Sequence, residues 1–99
     1  MDFSHLVETI RSVEGRDAWV AVTSGPAETA KAAVMHGGLR GVDVREGVAF
    51  LPVEIPGEPQ LTGSIGVALD QTEFERAEGS LPGDLFVRLR DYDVRVATR

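Results

Sequence analysis

The residues able to do chemistry in this chain are few. The best-placed set is TSGPAETAK, Thr23 to Lys31. A strand-like stretch precedes it and an alanine-rich stretch follows, so Gly25 and Pro26 read as a turn into a helix. The free N–H groups at a helix start attract phosphate or carboxylate. Ser24 adds a hydroxyl donor, Lys31 a cation, and His36 a titratable group at the helix end. Ser24, Gly25, Lys31 and His36 are therefore the candidate ligand-binding residues. The stretch has a single glycine where a P-loop or dinucleotide fingerprint has several. Pro26 removes one donor, and Glu28 sets a negative charge at the mouth. A well-capped turn accounts for the same residues without a ligand.

His5 and His36 are the only histidines, and there is no cysteine. Thiolate nucleophiles, disulfides and cysteine-ligated metals are excluded. Neither histidine belongs to a pair at helical ligand spacing, so no metal and no cofactor are expected. Asp43 and Glu54 fall in strand-like segments, which aim side chains rigidly. Asp91 and Asp93 flank Tyr92. If extended, both carboxylates face one side, as cation binding or acid–base work requires; turn formation explains them equally well. Gly63-Ser64-Ile65 lacks the G-x-S-x-G pattern of a nucleophile elbow. Whether the chain is an enzyme stays open. If a ligand binds, His36 and Asp43 are the first groups to test for catalysis.

Arg88, Arg90, Arg95 and Arg99 accompany Phe86 near the C-terminal end. A basic strand face with an aromatic suits single-stranded nucleic acid. Here Asp84, Asp91 and Asp93 interrupt it. The formal net charge is −6, from 16 acidic and 10 basic residues, which repels polyanions. The expectation is no nucleic-acid and no membrane partner, with the arginines paired across a protein interface, where arginine is favoured.

These residues must be held by short elements, for 99 residues contain 11 glycines and 5 prolines. Phe3, Leu6, Val7, Ile10 and Val13 recur at helical spacing, which predicts a helix from Phe3 to Glu14 with Asp2 as cap. Ala18 to Thr23 reads as a central strand that shows Trp19 on one face and Val20 on the other. Pro26 to His36 reads as a second helix, stopped at Gly37 and Gly38. Gly41 to Arg45 and Val48 to Glu54 read as a hairpin around Glu46 and Gly47. IPGEPQ, Ile55 to Gln60, is a loop. Thr62 to Leu69 is a strand with one face nearly bare. Asp70, with Glu73 three positions on, reads as the cap of a third helix, Gln71 to Glu78. Leu85 to Leu89 and Val94 to Ala97 are either a hairpin or one bulged strand.

The expected fold is a single α+β domain over residues 1–99. It is a two-layer sandwich, with three helices on one face of a mainly antiparallel or mixed sheet of five to six short strands. Its core is drawn from Leu6, Val7, Ile10, Trp19 or Val20, Ala30, Val34, Val44, Phe50, Ile65, Val67, Phe74, Leu85, Val87 and Val94. The N-terminal stretch lacks the basic and apolar regions of a signal peptide, and no apolar run is long enough to span a bilayer; a cytoplasmic setting is the default. A chain this short makes a modest core that a partner can extend. Trp19, Phe86, Arg88 and Tyr92 are of the types enriched in interfaces. The sequence thus suggests a small structural or regulatory protein-interaction module that self-associates as a homodimer, with a heterologous protein as the other partner class. The alternative is a binder of a phosphate- or carboxylate-bearing small molecule, or a small enzyme, using residues 23–31.

Overall fold

The computed structural model describes residues 1–24, 31–54 and 65–98, with backbone alone at Lys31 and Ile65. The fold is mostly β. Among the described residues one helix, α1 (Phe3–Arg11), precedes eight strands: β1 (Asp17–Ser24), β2 (Lys31–Leu39), β3 (Asp43–Arg45), β4 (Val48–Glu54), β5 (Ile65–Asp70), β6 (Phe74–Gly79), β7 (Gly83–Leu89) and β8 (Tyr92–Thr98). The three-helix sandwich is therefore incorrect, and two of its helices are replaced.

From Lys31 onward the expected second helix is β2. It pairs with β1 along the whole strand, from Ser24↔Lys31 to Asp17↔Gly38. Alanine favours helix, but propensity is a weak prior that tertiary pairing overrides. Gly25 and the rest of the turn, residues 25–30, lie outside the described residues. So do Ala30 of the expected core, the 55–60 loop, the start of the Thr62 strand and Arg99. The expected third helix is a turn followed by β6. The Asp70 carboxylate accepts from the backbone N–H of Thr72 at 2.9 Å and from its hydroxyl at 2.8 Å. Glu73 N–H then donates to Asp70 C=O at 3.0 Å. The aspartate closes a local turn, and the helix never starts.

Other expectations match. Asp2 caps α1 by accepting from His5 N–H at 2.7 Å. β3 and β4 form the hairpin. Its two-residue turn places both Glu46 (φ 52°) and Gly47 (φ 78°) in the left-handed region, which suits the twist of the strands. β7 and β8 are the hairpin alternative.

Every strand pairing is antiparallel. The central run is β4–β2–β1–β8–β7–β6. β2 reaches β4 at Val53 and Glu54, β3 continues along the same edge at 48–50, and β5 takes the opposite edge. The sheet curls. β5 and β6, at its two ends, are joined by the Asp70 turn, and the Tyr92 hydroxyl of β8 donates to Ala68 C=O of β5. α1 fills the interior with Phe3, Leu6, Val7 and Ile10, and Phe3 meets Phe74 edge-on at 5.8 Å. Alternate strand residues complete the core: Ala18 and Val20, Ala49, Leu51 and Val53, Leu85, Val87 and Leu89, Val94 and Val96. Between Trp19 and Val20, Val20 is the core residue; Val34 and Val44 are exposed instead.

Gly37 shows a constraint that the sequence reading took for a helix stop. A Cβ there would collide with the Glu54 carbonyl and sit 3.1 Å from the Val53 side chain, whereas one on Gly38 would touch nothing within 4 Å. Glycine at 37 is what lets β2 swing onto β4. Gly37→Ala should lower stability by about 1–3 kcal/mol, read as a fall in the urea midpoint at unchanged slope. Gly38→Ala should stay within about 0.5 kcal/mol of the parent.

Candidate interaction face

The outer surface of the central sheet is a grid of three rows, fixed by strand register. The first row runs His36 (β2), Trp19 (β1), Ala97 (β8), Asp84 (β7). The second runs Val34, Ala21, Arg95, Phe86, Glu78 (β6). The third runs Ala32, Thr23, Asp93, Arg88, Arg76. The period-two pattern of each strand puts these residues outside because their neighbours fill the curl.

Two aromatic clusters stand on this face. The Trp19 indole and the His36 imidazole stack with centroids 4.0 Å apart and planes 7° from parallel. His36 Nε2 lies 3.9 Å from a carboxylate oxygen of Asp17. Phe86 carries guanidinium groups of Arg76 and Arg95 at 5.7 and 5.2 Å from its centroid, inside cation–π range. Between them lie the small side chains of Ala21 and Ala97. Trp19 is 46% exposed and Val34 62%. Isolated exposed apolar residues are ordinary, but register-linked neighbours make a patch. The charge here is partly balanced. Asp17, Glu75, Glu78, Asp84 and Asp93 oppose Arg76, Arg88 and Arg95, so the face holds −2 of the chain's −6.

Arg88 donates to Asp93 at 2.6 Å and lies 3.9 Å from Glu75. The Asp93 hydrogen bond and charge raise the Arg88 pKa further above its ordinary range, so the guanidinium is a fixed cation. Asp93 is therefore spent on an internal pair. Asp91 sits in the β7–β8 turn rather than on the Asp93 strand face, so the two carboxylates do not converge. Asp43 pairs with Arg45 at 2.8 Å and Glu54 with Arg40. His36 and Asp43 are not brought together. No group of three metal-binding side chains occurs among the described residues.

Of the expected interface residues, Trp19, Phe86 and Arg88 share the outer face, and His36 from the expected ligand set joins them. Tyr92 is on the inner face, its hydroxyl on Ala68 C=O at 2.5 Å. Ser24 is half-buried at the end of β1. Lys31 opens β2, and the expected anion-binding turn at Gly25 and Pro26 lies outside the described residues. Val34 and Ala21 were missed as surface residues. The signal for Val34 was available in the alternation Ala33, Val34, Met35, His36 once that stretch is read at period two.

Two clefts, of about 210 Å³ by Gly15, Gly38, Leu39, Arg40 and Glu54 and about 220 Å³ beside Phe86 and Arg95, are smaller than the roughly 300–1,000 Å³ of most ligand pockets. Among the described residues no helix is long and apolar enough to cross a membrane. No protein-family profile, curated protein or solved structure matches this chain.

Tyr92 is the only tyrosine. Burial, followed by the charges of Glu73 and Asp70, raises its pKa above the ordinary 10.0. The fold thus favours the neutral phenol. This contribution is full below the unfolded pKa and is lost as pH rises through the folded one. A spectrophotometric titration should show tyrosinate forming above pH 10 in the native protein and near the ordinary value in urea. Tyr92→Phe should flatten the loss of stability in that alkaline window.

Proposed function

We propose that this chain is a small protein-interaction module that works as a homodimer through the outer face of β2, β1, β8 and β7. The observation that carries the reading is the Trp19–His36 stack, standing half in solvent beside Val34. A stacked, immobilised aromatic pair loses little conformational entropy on binding, and Trp and Arg anchor interfaces more than other residues do. The smaller charge on this face lessens the repulsion that a net −6 chain otherwise meets on approaching its own copy. A C₂ pair is the commonest closed assembly. A structural or regulatory role in a reducing, cytoplasmic compartment is in keeping with a chain that carries no cysteine.

Sedimentation across a dilution series is the test. The mass should rise from 10.6 kDa toward twice that at micromolar concentration. Trp19 is the only tryptophan, so its emission should shift to the blue over the same range. Trp19→Ala should weaken association by at least about 2 kcal/mol, or roughly 30-fold in Kd. Val44→Ala, on β3 and away from the face, should leave it unchanged. A mass constant at that of one chain would end the proposal.

A further inference from the structure

We draw no further inference here: the strongest candidate, the outer edge of β2 from Ala32 to His36, which pairs with no strand among the described residues, carries nothing because nothing in the structure shows what covers it.

Discussion

The structure depends on β1 pairing on both edges at once. Its eight residues meet β2 from Asp17 to Ser24, and seven of them meet β8. With both edges satisfied, the strand has only its faces left to distribute. Ala18 and Val20 go into the curl and are fully buried, while Trp19 stays outside. Because register propagates across antiparallel pairs, this single choice decides the facing of β2 and β8, and through β8 that of β7 and β6. A slip of one residue would push Trp19 into a space sized for valine and expel Val20. The core and the outer face are thus two sides of one constraint.

This explains which parts of the fold were legible. Helix α1 was readable because Phe3, Leu6, Val7 and Ile10 keep helical spacing and Asp2 caps them. The β3–β4 hairpin was readable because Glu46–Gly47 is local turn chemistry. β1 was readable from its valines. The stretch from Lys31 to His36 was not, because its alanines report backbone propensity and its partner strand is the cause of its conformation. Gln71 to Glu78 failed differently. Asp70 can cap a helix or close a turn, and the choice belongs to the edge strands that the turn must join. The long-range term decided both cases.

The placement of the candidate residues on the sheet was partly legible. Trp19, Phe86 and Arg88 were marked by residue type and do share one face, while Tyr92, of equally suitable type, is turned inward to β5. Type alone does not distinguish inside from outside; parity within a paired strand does. Val34 illustrates the converse, since as a helix residue it belonged to the core, and on β2 it falls on the even-numbered outer set with Ala32 and His36. The ligand-binding expectation rested on the turn at Ser24 and Gly25, most of which lies outside the described residues; of the helix that was to follow it, residues 31–36 are strand β2.

The β1–β8 ladder has a further consequence for how the chain reaches this structure. Ala18 pairs with Thr98, so the central ladder joins segments separated by nearly the whole sequence. The β1–β2 hairpin is local and closes within microseconds. Its far edge then waits, with unpaired N–H and C=O groups and the apolar side of Ala18, Val20 and Val22 uncovered, until β8 has been synthesised. Closing so long a loop costs entropy before any contact repays it, which places this protein among slow, non-local folders. During that interval the open edge of β1 is the part of the chain most exposed to wrong pairing with a neighbour.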